Sequence, residues 1–393
     1  MTVHLTPSDQ AFVQGAASLV PLLRANAAEA ERERRIPDAV LAALADKGLF
    51  SASRPSVYGG EQRSLSVFAR AAAEIGRGCG STGWTVGIMA ACQWMAGLLP
   101  KQAMDEIWAA GREPRFCCVV SLPSQARPDH GGLRVSGEWP YATGSLHADW
   151  ALVGVPVFED GAPTTPGLGL VPIDELEIKD TWHMAGMRAS GSNTLVGRDL
   201  FIPRHRILNV AEVDAGRALP DVDGALYRTG FAAALILYVA GAFIGMAKGA
   251  LELTLDQIRS GKRMTFTTVE HLRDSPVVQL QVAEAQAKVD TAELHLMRSA
   301  GVADDHARHH RLLPTHERAR IRMDCGWALR HSREAIELLL DAQGAAAFAE
   351  TNPVQRLWRD CEVGTRHGMI LPALGQQILG ADLCGGDSVV HLL

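Results

Sequence analysis

Twice along its length this chain changes hydrophobic period, from helical to strand-like near Arg115 and back to helical after Asp223. Buried positions recur about every 3.6 residues in a helix and every 2 in a strand, so one continuous element cannot serve both patterns. Residues 8–50 carry a helical pattern with a charged face that stops at Lys47-Gly48, and Pro37 marks the start of a second helix within it. A loop from Arg54-Pro55 to Tyr58-Gly59-Gly60 leads to predicted helices at 64–76 and 81–96, then a short one over Lys101–Ala109. Short strand-like runs follow at Cys117–Val120, Gly132–Gly137, Ala151–Val157, Gly167–Pro172 and Thr194–Pro203, with a hairpin turn at Gly131-Gly132. Four long helices then fit near 224–260, 274–301, 314–343 and 353–379. The expected fold class is α+β, mainly α: an N-terminal helical domain (1–114), a small antiparallel β-domain (115–220), and a C-terminal four-helix bundle with a tail (221–393). A bundle with apolar faces on several sides is expected to self-associate.

Charge excludes some functions. With a net charge of −6 and a pI near 6.2, the chain offers no basic field to nucleic acid or to an anionic membrane. The start, Met1 to Asp9, lacks a basic region followed by an apolar run, so no secretory signal is expected. Phe231–Met246 is the most apolar segment, but Gly241 and Gly245 interrupt it, and it reads as a core helix. Seven cysteines without metal-ligand spacing suit a reducing cytoplasm and no metal site, with Cys117-Cys118 in a strand core.

Small-molecule chemistry is therefore the expectation, and four segments offer residues for it. Trp182 to Pro203 holds a loop of small polar residues with Trp182 and Arg188 at its start and a strand at its end. Gly186 and Gly191 allow close approach or positive φ, and Ser190, Ser192, Asn193 and Thr194 supply hydrogen-bonding groups for a planar, anionic ligand. The plainer alternative is a polar turn before an edge strand. Gly137 to Trp150 runs a strand into a turn with the hydroxyls of Thr143 and Ser145, suited to a ring nitrogen of a flat cofactor or simply to a capped turn. Ser81-Thr82-Gly83-Trp84, with Cys92 and Trp94 two turns on, could wall an aromatic pocket or could be plain core. Asn352 to Asp360 starts a helix in which Arg359 and Asp360 are placed to pair, and His367 follows two turns later.

In this order, Tyr58-Gly59-Gly60, Ser-Thr-Gly-Trp, Trp-Pro-Tyr-Ala-Thr-Gly-Ser, Trp-x-x-x-Gly-Met-Arg-x-Ser-Gly-Ser-Asn and Trp-Arg-Asp-x6-His, the chain resembles the flavin-dependent monooxygenases built on the acyl-CoA dehydrogenase fold. These are the oxygenase halves of two-component systems, and the resemblance spans about residues 30–380. It implies a non-covalent reduced flavin, FMN or FAD, delivered by a separate reductase and reacting with O2 to a C4a-hydroperoxide that oxygenates an aromatic substrate. It also implies a homotetramer or dimer. Thr143, and with it Ser145, match the hydroxyl set against the flavin's reactive nitrogen. Trp182, Arg188, Ser190, Ser192 and Asn193 match the loop beside ring and phosphate, while Arg263 and Phe266 match an element reaching a neighbouring subunit's flavin phosphates. His367 matches the histidine beside the flavin, with Trp84, Cys92, Trp94 and Ile370 on the substrate side.

Two alternatives share the fold: an acyl-CoA dehydrogenase with FAD, and a flavin enzyme coupling aromatic polyketides oxidatively. Against the first, Gly368 stands where many dehydrogenases carry their catalytic glutamate. Relatives among the oxygenases carry histidine at Cys92 and histidine or asparagine at Ile370, so an already acidic hydroxyquinone or an indole is expected before an ordinary phenol.

Overall fold

The computed structural model describes residues 5–388 apart from 109–110, 112, 123, 160–161, 218–220 and 266. Helices α1 (Pro7–Ser18), α2 (Val20–Glu33) and α3 (Asp38–Asp46) come first, followed by α4 (Leu65–Gly78), α5 (Gly80–Ala96) and α6 (Lys101–Trp108). The first helical stretch is broken once more than expected, at Leu19, where Pro21 enters the first turn of α2.

The central strands are β1 (Phe116–Val119), β2 (Ser124–Asp129), β3 (Gly132–Ala142), β4 (Trp150–Glu159), β5 (Ala162–Pro172), β6 (Glu177–Lys179), β7 (Asn193–Pro203) and β8 (Ile207–Asn209). They form sheets of order β1-β4-β5-β8 and β2-β3-β7-β6. The expectation of a wholly antiparallel domain needs one correction, because β1 runs parallel to β4, pairing Phe116 with Trp150 and Val119 with Val153. β2, β6 and β8 were not expected: β2 is a largely polar edge strand, the other two are three residues long, and none leaves a long apolar run. Alternation along β4 then sorts the layers. Ala151, Val153 and Val155 face the core between the sheets, with Trp139, Leu195 and Ile202, while Leu152 points to the helices.

After α7 (Val210–Asp214) come α8 (Phe231–Arg259), α9 (Pro276–Arg308) and α10 (Thr315–Gln343), then α11 (Pro353–Gly364) and α12 (Pro372–Cys384). The last expected helix is thus two, because Pro372 disfavours helix at Leu371 and the chain turns over 365–371, leaving His367 on a turn rather than a helix. α8 is long and apolar enough to cross a membrane by those measures, yet 94% of its most apolar window is buried inside the fold. It lies against α4 along a glycine seam: a Cβ on Gly241, Gly245 or Gly249 would come within 2.2, 2.0 and 2.5 Å of the carbonyl oxygens of Ala69, Ala73 and Arg77. The glycines that seemed to interrupt an apolar run are what lets two backbones touch. Asp304 of α9 accepts the N–H groups of Leu65 and Ser66 at 2.9 and 3.1 Å, capping α4 from a distance in sequence.

Candidate functional site

The site forms where the start of α5, the β3–β4 turn, the 182–193 loop and the end of α11 meet. Asp360 joins three of these. Its buried carboxylate accepts Met187 N–H at 2.6 Å and both Ser81 N–H and Ser81 Oγ–H, at 2.9 and 3.0 Å. The expected Arg359–Asp360 pair does not form, since neighbours in a helix point in different directions. Arg359 pairs instead with Glu31 at 2.5 Å, as does Arg356 at 2.9 Å. Burial alone would raise the Glu31 carboxyl, but the two guanidiniums hold it below its usual range. Gly186 is required for close approach, because a Cβ there would sit 2.1 Å from the Arg359 carbonyl oxygen, and Gly191 for its φ of +52°.

A chain of hydroxyls lies behind this clamp. Trp84 Nε1–H donates to Thr143 Oγ1 at 3.2 Å, Thr143 and Ser192 share a hydrogen bond of 2.8 Å, and Ser192 and Ser190 share one of 2.7 Å. Gly144 N–H donates to Ser190 O at 2.8 Å and Ser145 Oγ–H to Gly191 O at 3.2 Å, so the β3–β4 turn and the loop are sewn together. His367 stands on the other side of Trp84, with ring centroids 5.4 Å apart. His367 is exposed to solvent although protein atoms crowd its other sides, and a Cβ on the adjacent Gly368 would meet nothing within 4 Å. Burial holds the imidazole below its ordinary pKa.

Other expected residues have different surroundings. Cys92 is fully buried beside Cys118, and burial pushes its thiol well up. Ile370 is buried at the end of the His367 turn. Trp94 is a correction: about 200° around α5 from Cys92, its indole donates to Leu226 O at 3.0 Å and packs on Phe231, away from the Trp84 cluster. Asn193 Oδ1 accepts the N–H groups of Thr181 and Trp182, both at 3.1 Å, and so shapes the loop from within. Trp182 spends its indole N–H on Met187 O at 2.8 Å, leaving its ring faces for packing. Arg188 donates to the carbonyls of Glu31 and Met184. Arg263 is exposed, 3.8 Å from Glu270, and Phe266 lies outside the described residues. Among the described residues no cluster of His, Cys, Asp or Glu could hold a metal ion.

Sequence reasoning missed two residues. Tyr141 adopts a left-handed backbone at φ +69°, is 65% exposed, and meets the Trp182 ring edge-on at 6.0 Å. The Trp-Pro-Tyr-Ala-Thr-Gly-Ser motif contains it but gives it no role, because the strain arises from the bulge where β3 leaves β7 between Trp139 and Ala142. His147 is buried and its Nε2 accepts Ile36 N–H at 3.1 Å, pinning the Thr143 turn to the N-terminal helices. Burial first, then Arg35 and Arg115, lower its pKa to about 4. The folded value lies below the unfolded one, near 6.5, so stability is complete above pH 6.5 and falls as acid forces protonation. The expected loss is about 2 kcal/mol by pH 5 and about 3 by pH 4. Urea unfolding of wild type and His147→Gln at pH 7.5 and pH 5 checks it, with the variant losing less on acidification.

Comparison with known proteins places this geometry. Residues 7–101 match the acyl-CoA dehydrogenase N-terminal domain and residues 237–372 the acyl-CoA dehydrogenase C-terminal domain. Over 380 residues, 95% of this chain and 96% of the relative, the sequence is 33% identical to the flavin-dependent monooxygenase, oxygenase subunit HsaA, of Mycobacterium tuberculosis (strain CDC 1551 / Oshkosh). The chain belongs to the flavin-dependent monooxygenase oxygenase components. A second relative of this oxygenase, 30% identical with 93% of each chain covered, is the FADH(2)-dependent resorcinol hydroxylase, oxygenase component, of Rhizobium sp. (strain MTP-10005). The solved structure of XiaF from Streptomyces sp. in complex with FADH2 and glycerol superposes with a TM-score of 0.91, 33% identity and 98% of both chains covered. Flavin is therefore the cofactor and O2 the co-substrate. The residues here fit that ring: hydroxyls, aromatic faces and an open imidazole converge, with space beside Gly368.

Proposed function

We propose that this oxygenase takes reduced FMN or FAD from a separate reductase and transfers one oxygen atom of O2 to an electron-rich aromatic substrate, releasing the other as water. The observation that carries the reading is the convergence of Thr143, Ser192, Trp84 and His367 from four distant segments. Reduced flavin, when bound, supplies the two electrons that activate O2. Thr143 holds the ring through its hydroxyl, Ser190, Ser192 and Ser145 brace that hydroxyl and its turn, and Trp182 and Tyr141 supply aromatic surface at the rim. Trp84, Cys92 and Ile370 exclude water from the reacting side, where peroxide would otherwise escape. Arg188 and Asn193 keep the loop in shape, and Arg263 reaches the flavin phosphates of a neighbouring subunit in a homotetramer. The working division is 1–114, 115–220 and 221–393, and the compartment is the cytoplasm.

The names of the relatives, resorcinol hydroxylase among them, support an aromatic substrate. Gly368 in place of a carboxylate favours this reading over acyl-CoA dehydrogenation. The test supplies chemically reduced FMN or FAD in aerated buffer with a panel of indoles, naphthols and hydroxyquinones, and measures oxygenated product against hydrogen peroxide. Product from at least one ring is expected. Recovery of every reducing equivalent as peroxide, with no flavin bound, overturns it.

A further inference from the structure

We propose that His367 acts as a fixed hydrogen-bond donor through Nε2 and not as a base, so that the site takes its aromatic substrate uncharged. This rests on the oxygenase reading and narrows its substrate class. Met369 N–H donates to His367 Nδ1 at 3.3 Å. A backbone N–H cannot accept, so a neutral imidazole bound this way carries its proton on Nε2. The turn enforces the arrangement, with His367 N–H donating to Gly364 O and Ile370 N–H to His367 O, both at 3.0 Å. The nitrogen that would serve as a base is therefore the one occupied by the chain's own backbone. Among the described residues Nε2 has no protein partner.

Among the described residues, each charged group on the elements around His367 already has hydrogen-bonding partners. On α5 the neighbour is Trp84, and on α8 Phe243 packs on Trp84 with ring centroids 5.8 Å apart. On α11 the Asp360 carboxylate is spent on Met187 and Ser81, and Glu362 is paired with Arg333 and Arg366. In the 182–193 loop Arg188 is held by two carbonyl oxygens. Cys92 and Cys361 are buried thiols raised by burial and remain protonated. A phenolate or carboxylate brought against Trp84 and Phe243 would give up hydration there, and no arginine contacts the His367 ring among the described residues. A phenol would find nothing to take its proton. An indole, whose ring carbon is already electron-rich, needs neither, and any carbonyl or ether oxygen it bears can accept the Nε2–H.

Three measurements test this. In flavin-free protein with 15N-labelled histidine, the His367 signals, assigned by their loss in His367→Gln, should show a protonated Nε2 and an unprotonated Nδ1 at pH 7.5. The reverse overturns the proposal. Glutamine places an amide N–H near the Nε2 position without being a base, so His367→Gln should keep product per flavin from indole within about tenfold of wild type. His367→Ala should lose about 100-fold. Equal losses overturn the donor role. Calorimetry on flavin-free protein should show indole binding at least about 20-fold more tightly than indole-3-carboxylate, and equal or tighter binding of the carboxylate overturns the uncharged class. Flavin titration separates the failures: bound flavin with equal Gln and Ala losses sinks only the donor role, whereas no flavin binding sinks the oxygenase reading and this proposal with it.

Discussion

Thr143→Val is expected to cut oxygenated product per reduced flavin by about 100-fold, the missing oxygen appearing as hydrogen peroxide, because preorganised donors at a developing charge are typically worth 10²–10³ in rate. The substitution keeps the shape and removes only the hydroxyl. Trp84 Nε1–H then loses its acceptor at 3.2 Å and Ser192 its partner at 2.8 Å, so the fault spreads to both neighbours. One buried donor left unsatisfied also costs about 1–3 kcal/mol of stability, which urea unfolding would register alongside the product and peroxide assays. Thr143→Ser restores the oxygen and should recover most of the coupling. Unchanged coupling in the valine variant removes Thr143 from the scheme.

Gly245→Val is expected to give the largest loss of stability, about 3 kcal/mol or more. Its Cβ would lie 2.0 Å from the Ala73 carbonyl oxygen, and a backbone atom in the middle of α4 cannot step aside as a side-chain tip can. Separating the helices would instead open the Gly241 and Gly249 contacts as well. A control lies on α12, where a Cβ on Gly380 meets nothing within 4 Å; Gly380→Ala should be neutral or stabilising by up to about 1 kcal/mol. Denaturant midpoints for the two variants decide the matter. A Gly245→Val midpoint equal to that of wild type contradicts the seam.

The seam also marks where sequence reading reached its limit. An apolar run over Phe231–Met246 announces a buried helix, but its glycines read equally as interruptions until α4 is placed against them. The long helices and the apolar strands were legible because each repeats a burial pattern over many residues. β2, β6 and β8 were not, since an exposed edge and three-residue strands owe their existence to the neighbours they bond. The break at 365–371 was lost in the helical character on either side, although Leu371-Pro372 carried the signal.

For the site, motif order pointed to Thr143, Ser192 and His367, and local chemistry named their capacities. It could not say how those capacities are spent. Asp360 was taken for the partner of Arg359, yet it binds backbone at Met187 and Ser81, because which acceptor a buried carboxylate finds depends on what folds over it. Trp94 looked like a pocket wall until the helix orientation turned it to Leu226. Tyr141 lay inside a motif that gave it no role, and His147 lay just beyond it.

By itself the sequence determined the succession of helical, β and helical regions and the hydroxyl, aromatic and imidazole groups available for chemistry, since period and residue type are local properties. Only the tertiary structure decided which of those groups meet, because hydrogen bonds such as Trp84 to Thr143 and Met187 to Asp360 join residues 59 and 173 positions apart. Closing such distances is a property of the packed chain.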